Sequence, residues 1–182
     1  TRKYTVITGA SSGIGYEAAM AFAERGRNLV IIARRENNLK VLKWEILEKH
    51  PDLDIVIRCT DLSMPENVYQ LYGSLEQYEI ETWVNNAGFG NYESVAQQDL
   101  KKIGQMLHLN VEALTLLSSL FVRDYKDVEG TQLINISSAG GYTIVPTAVT
   151  YCAAKFYVSA FTEGLARELE ESGAKMKAKV LA

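Results

Sequence analysis

Cysteine is nearly missing from this sequence. The two present, Cys59 and Cys152, lie in apolar or helical surroundings without metal-ligand spacing. They fit a reduced, cytoplasmic protein, and no disulfide can be inferred from them. Histidine is as scarce: His50 and His108 stand alone, and two scattered imidazoles make no metal site. Only 3 prolines occur, and they sit with the glycines at turns, so no linker or low-complexity tract divides the chain. An excess of positive charge is also lacking. The net charge is −3 and no basic stripe runs through the chain, which argues against a nucleic-acid partner. Long hydrophobic runs are absent too. The longest apolar patch, Val111 to Val122, is broken by Glu112, Thr115, Ser118 and Ser119, too short and too polar to span a bilayer. The apolar opening at Tyr4 to Thr8 runs at once into glycines and polar residues, unlike a signal peptide, so no membrane partner is expected.

What is there suffices for one packed unit. Of 182 residues, 47% are hydrophobic and 23% charged, which predicts a single domain over residues 1–182 with a sizeable core. Short β-branched runs alternate with helical periodicity along it. Strands are predicted at Tyr4 to Thr8, Leu29 to Ala33, Ile55 to Cys59, Trp83 to Asn86, Gln132 to Ile136 and Ala178 to Leu181. Between them lie helices marked by Ile14, Ala18, Ala21 and Phe22; by Leu39, Leu42, Ile46 and Leu47; by Val68, Leu71, Tyr72 and Leu75; by a long stretch from Leu100 through Leu114; and by a helix carrying Tyr151 and ending near Gly173. Alternation of this kind implies an α/β protein. It should be a three-layer, doubly wound parallel sheet with helices on both faces, a Rossmann fold, with the chain stopping inside the sixth strand.

In such a sheet, ligands bind off the carboxyl ends of the strands, and the polar features of this chain gather there. After the first strand comes Gly9-Ala10-Ser11-Ser12-Gly13-Ile14-Gly15, then a helix. That order sets backbone N–H groups and a helix N-terminus against a pyrophosphate. Gly9 would allow the turn, Gly13 the approach of the cofactor and Gly15 close helix packing; the plain alternative is an ordinary glycine turn. Arg34 and Arg35 follow the second strand, where a carboxylate would hold the 2′-hydroxyl of NAD and arginine suits the 2′-phosphate of NADP. A solvated charge cluster at a helix start is the alternative there. Asp61, Asn86 and Ser138 also fall at or just past strand ends.

One pair carries the chemistry. Tyr151 and Lys155 are four residues apart on a predicted helix, so they share a face, and no other of the 10 tyrosines has a lysine at that spacing. Tyrosine titrates near ~10, too high for a base at neutral pH. A cation about 4 Å away would favour the phenolate by ~4 kcal/mol at an effective dielectric of ~20, a shift of roughly three units. The plain alternative is a surface pair on an amphipathic helix.

Taken together, these residues resemble the compact, single-domain branch of the short-chain dehydrogenase/reductase family. Thr8-Gly9-Ala10-Ser11-Ser12-Gly13-Ile14-Gly15 matches its TGxxxGxG turn, Asn85-Asn86-Ala87-Gly88 its NNAG motif, and Tyr151 with Lys155 its YxxxK. Ser138 precedes Tyr151 by the usual thirteen positions, and Asn110 matches the helix asparagine of the tetrad. The resemblance covers essentially the whole chain. Two departures stand out: Ser12 is not the basic residue some NADP-preferring members carry, and nothing follows the sixth strand of the substrate-covering loop and last strand that members have.

The resemblance implies an enzyme that moves a hydride between NADP(H), in preference to NAD, and a small alcohol/carbonyl pair. Tyr151 would be the general acid/base, Ser138 would position the carbonyl oxygen, and Lys155 would tune the tyrosine and hold the nicotinamide ribose. Asn110 would anchor a proton-relaying water. The cofactor would be held by Gly9, Ser11, Ser12, Gly13, Ile14, Gly15, Arg34, Arg35, Asp61, Leu62, Asn86, Ala87, Gly88, Tyr151 and Lys155. The resemblance also implies a homodimer or homotetramer built on the long fourth helix and the Tyr151 helix. A cofactor-sensing module without turnover, or a structural protein assembling through its helices, are the alternative readings. Phe89, Tyr92, Tyr142, Ile144 and Val145 suggest an apolar, partly aromatic substrate pocket, or simple packing.

Overall fold

The computed structural model describes residues 2–11, 13–137 and 144–182. The first four strands are β1 (Lys3–Thr8), β2 (Asn28–Ala33), β3 (Ile55–Cys59) and β4 (Glu79–Asn85), followed by β5 (Gln132–Ile136) and β6 (Lys177–Leu181). The helices are α1 (Gly13–Glu24), α2 (Glu36–Lys49), α3 (Pro65–Gly73), α4 (Leu100–Leu107), α5 (Leu114–Tyr125) and α6 (Val149–Glu171). All six strands pair in parallel, in the order β3-β2-β1-β4-β5-β6. The parallel α/β expectation is thus borne out. The first three strands step one way from β1 and the rest step the other way from β4, so a crevice opens between the ends of β1 and β4.

Both faces of the sheet are buried, and consecutive strand residues supply both cores. Val6, Val30, Ile32 and Trp83 pack with Val68 and Leu71 of α3, Leu117 and Phe121 of α5 and Leu169 of α6. Ile7, Leu29, Ile31, Val84 and Ile134 pack on the other side with Ala19 and Ala23 of α1 and Leu39, Leu42 and Ile46 of α2. Each fully buried aliphatic side chain contributes about 1.5–3 kcal/mol relative to exposure. This accounts for strands that read as unbroken apolar runs rather than alternating ones.

β4 begins four residues earlier than its apolar run suggests. Glu79 and Glu81 are out of keeping with a central strand, yet Ile80 and Thr82, which alternate with them, are buried, and Glu81 pairs with Arg27. The α4 and α5 segments form one continuous helical rod from Leu100 to Tyr125, joined by a π-helical turn at His108–Ala113. At 26 residues, with an 18-residue stretch of mean hydropathy 1.2, the rod is long and apolar enough, by length and composition, to cross a bilayer. Here its apolar stripe packs on the sheet, while Lys101, Lys102, Glu112 and Arg123 line its polar side.

Candidate active site

The crevice between β1 and β4 is built from backbone held at van der Waals limits. Thr8, the last residue of β1, accepts through its hydroxyl oxygen from the backbone N–H groups of Asn86 (2.9 Å) and Ala87 (3.0 Å). The Asn86 side-chain amide donates back to the Gly9 carbonyl at 3.1 Å. The two strand ends are therefore tied side by side. The glycines fit this closeness. A Cβ on Gly9, at φ +63°, would lie 2.8 Å from Cα of Ala87, and one on Gly15 would lie 2.1 Å from the Gly9 carbonyl oxygen. Gly13 differs: its φ is +60°, but nothing lies within 4 Å of where its Cβ would stand. Its backbone faces open space at the N-terminus of α1, the cradle a phosphate would fill.

A cleft of about 280 Å³ lies along the ends of β1, β2 and β4, with Gly9 and Ser11 of the glycine turn in its lining. Of the residues expected to hold the cofactor, Gly9, Ser11, Arg34, Arg35, Leu62, Asn86, Ala87 and Gly88 line it. Arg34 and Arg35 are exposed at its edge, and neither makes an ion pair among the described residues. Arg35 stands at the start of α2 with no side-chain capping bond. A glycine cradle at one end and two guanidinium groups at the other fit a dinucleotide bearing an extra phosphate on its adenosine half. Among the described residues, six expected ones stand outside this lining: Gly13, Ile14, Gly15, Asp61, Tyr151 and Lys155. Ile14 is 57% exposed on the first turn of α1 and Gly15 is buried beneath the turn. Asp61 accepts at Oδ1 from the Ser63 backbone (3.0 Å) and hydroxyl (2.7 Å), shaping the turn into α3. Ser12 lies outside the described residues, as do Ser138 and Tyr142.

Asn110 sits in the π-helical turn, buried to 2% exposure. Its amide donates to the Phe89 carbonyl at 2.9 Å, and its Oδ1 accepts from the Phe89 N–H at 3.1 Å. The side chain is thus a clamp on the loop that follows β4. It approaches Gly88 so closely that a Cβ there would meet Oδ1 at 2.8 Å.

Tyr151 and Lys155 lie on α6, which the chain enters through Thr147 at φ +67°. That conformation costs a β-branched residue about 1–3 kcal/mol and is found where surroundings over-determine it, often at functional sites. Tyr151 packs on the cluster of Ile103, Met106 and Ala154. The Lys155 ammonium is 5.6 Å from the centre of the Tyr151 ring, so the two do share a face. Burial pushes the Lys155 ammonium below its ordinary value. Ser137 accompanies them, its hydroxyl 3.4 Å from the Lys155 carbonyl.

Several participants were not among the expected catalytic or cofactor residues, although Thr8 and Asn85 lie within the matched motifs and Tyr92 among the expected pocket residues. Thr60 and Leu109 line the cleft, and Thr8 splices its two walls. Tyr92 stands with its ring 5.7 Å from that of Tyr151. Below the site, Asn85 donates to Asn135 (2.9 Å) and Ser118 (3.1 Å) and accepts from the Trp83 indole (2.8 Å), while Asn135 donates to Thr162 (3.0 Å). This buried network links β4, β5, α5 and α6 under the crevice.

The family model for short chain dehydrogenase matches residues 3–180. Among curated proteins, human dehydrogenase/reductase SDR family member 11 is 31% identical over 97% of this chain and 70% of its own. Among solved structures, the bulky-bulky ketone specific alcohol dehydrogenase of Comamonas testosteroni superposes with a TM-score of 0.90 at 29% identity, covering 98% of this chain and 71% of that one. A short-chain dehydrogenase of Sphingobium yanoikuyae in complex with NADPH also gives 0.90 at 29% identity, over 98% and 69%.

Proposed function

The chain belongs to the short-chain dehydrogenase family, and we propose that it interconverts an alcohol and a ketone or aldehyde with NADP(H), Tyr151 serving as general acid/base. The observation that carries this reading is the pairing of Tyr151 with a half-buried Lys155 on one face of α6. When bound, NADP(H) would supply or accept the hydride at the carbonyl carbon. The Gly13 cradle would hold its pyrophosphate, and Arg34 and Arg35 its 2′-phosphate. The similar structure that holds NADPH supports that cofactor, and the one named for ketones supports that substrate class.

In reduction, negative charge develops on the carbonyl oxygen. Tyr151 gives its phenolic proton to that oxygen, and in oxidation it takes the proton back. Ser138 would hydrogen-bond the same oxygen and fix its distance from Tyr151. Lys155, on the same face of α6, would stand beside the phenol as Tyr151 delivers its proton. Asn110 holds Phe89, and through it the loop after β4, against the turn in the helical rod.

The test is loss of reduced-nicotinamide absorbance with a panel of small ketones and aldehydes. Turnover with NADPH at least tenfold above NADH is expected. A protein that binds NADPH tightly yet oxidises it with none of the panel would be a sensor, and the reading would fall. The proposal extends to a homodimer or homotetramer, as the family resemblance implies, and to the cytoplasm, where Cys59 and Cys152 would stay reduced. Leu107, Phe156 and Tyr157 are exposed apolar residues on the rod and α6, joined by Thr115 to Tyr157 at 2.8 Å. Sedimentation equilibrium should give a dimer or tetramer at micromolar concentration; a monomer would remove that assembly.

A further inference from the structure

Tyr92 is an aromatic residue that the core does not need. It is 70% exposed, so burial cannot explain its place. Its ring is nonetheless held. It lies on Gly90 so closely that a Cβ there would stand 2.7 Å from Cε2 and from the hydroxyl oxygen of Tyr92. Its centroid is 5.7 Å from that of Tyr151, with the planes tilted by 58°, within the range where aromatic pairs attract.

The loop beneath is fixed at both ends. Asn110 clamps both backbone polar groups of Phe89, and the buried Asn91 accepts through Oδ1 from the Glu93 N–H at 3.3 Å. Gly90 lies between these anchors. The ring of Tyr92 is thus presented from a rigid base, which is what a selective surface requires. Tyr151 packs against Ile103 and Met106 of α4 and Ala154 of α6, and Lys155 stands near its ring. Tyr92 is the aromatic neighbour of the proton donor whose ring surface remains largely open.

We propose that Tyr92 is the specificity-determining wall of the carbonyl site, selecting carbonyl compounds that carry a flat apolar group, an aryl ketone over a small aliphatic one. This rests on the reading of Tyr151 as the proton donor. An aryl group stacked or tilted against Tyr92 gains apolar contact, and its attached carbonyl is thereby held beside the Tyr151 hydroxyl. A small aliphatic ketone cannot cover the ring and gains little.

The experiment compares kcat/KM for acetophenone and 2-butanone with NADPH in the wild type, Tyr92→Ala, Tyr92→Phe and Gly90→Ala. The wild type should prefer acetophenone. Tyr92→Ala should cut that preference about tenfold, mainly through KM for acetophenone, and Tyr92→Phe should keep it, since the ring face does the selecting. Gly90→Ala tests the same surface without touching the ring: its methyl meets the movable end of Tyr92, displaces it, and should lower the preference likewise. In the Tyr92→Ala background, Gly90→Ala should add nothing. Fluorescence titration with NADPH reports that each variant is folded and binds the cofactor. An unchanged ratio in Tyr92→Ala, or a loss in Tyr92→Phe as large as in Tyr92→Ala, would overturn the proposal and leave Tyr151 as proton donor intact. A wild type that oxidises NADPH with neither ketone nor any of the panel would overturn the Tyr151 reading itself.

Discussion

Lys155 is a residue costly to the fold, and the proposed chemistry gives the reason for keeping it. Burial disfavours its charged form, and no carboxylate pairs with it among the described residues. Its folded-state pKa is lowered, so between that value and the unfolded value near ~10.4 the unfolded chain binds more protons. Stability contributed by this group therefore rises with pH across that window, and below it the cost of the buried charge is constant. Lys155→Met keeps the apolar stem and removes the charge. The variant should melt at or above the wild type at pH 7, should lose part of the alkaline rise, and should lose turnover. Thermal melts at neutral and alkaline pH check this; a Met variant several degrees less stable at pH 7 would mean that the ammonium contributes to the fold. The pairing of Tyr151 with Lys155 was readable from a spacing of four on one helix. The clamp of Asn110 on Phe89 was not, because a residue's identity does not tell which of two polar duties, backbone bonding or water binding, its amide performs.

At the scale of elements, the glycine turn and the rod show what periodicity reveals and what it omits. Strand ends were legible to within a residue for β1, β2, β3, β5 and β6; β1 and β2 are buried, unmixed runs, whereas β6, an edge strand, alternates lysine with apolar residues. β4 was read short because its first half alternates with glutamate. The π-helical turn was invisible: Leu107, Val111 and Leu114 keep spacings that an α-helix accepts, so the apolar pattern does not record the extra residue. Such turns often mark functional sites, and this one carries Asn110. The glycines make the sharpest prediction at this scale. In Gly15→Ala the new methyl would stand 2.1 Å from a backbone oxygen of the turn, an atom that cannot swing aside. A cost of about 3 kcal/mol, or roughly 6–12 °C in melting temperature, is expected, with loss of NADPH binding. Gly13→Ala meets open space and only a strained φ, so it should cost about 1–2 kcal/mol. Equal melting temperatures for the two variants would contradict this account of the turn.

For the whole molecule, the order of strands decides where function can be. Reversal of the winding between β1 and β4 opens the crevice, and Thr8 and Asn86 hold it at fixed width. The buried network from Trp83 through Asn85 and Asn135 to Thr162 ties that crevice to the helix bearing Tyr151. The parallel sheet and the family were both legible from the linked motifs, because their order along the chain maps onto successive strand ends. Tyr92 on Gly90 was not legible as a contact, since loops carry no period. The central claim is that Tyr151 donates the proton at an NADP(H)-dependent carbonyl site. Its most direct test is kcat/KM of Tyr151→Phe beside the NADPH dissociation constant of the same variant. The account predicts a fall of about 10²–10⁴-fold in kcat/KM with NADPH affinity within about twofold of the wild type; a variant that keeps its turnover to within a few-fold would contradict it.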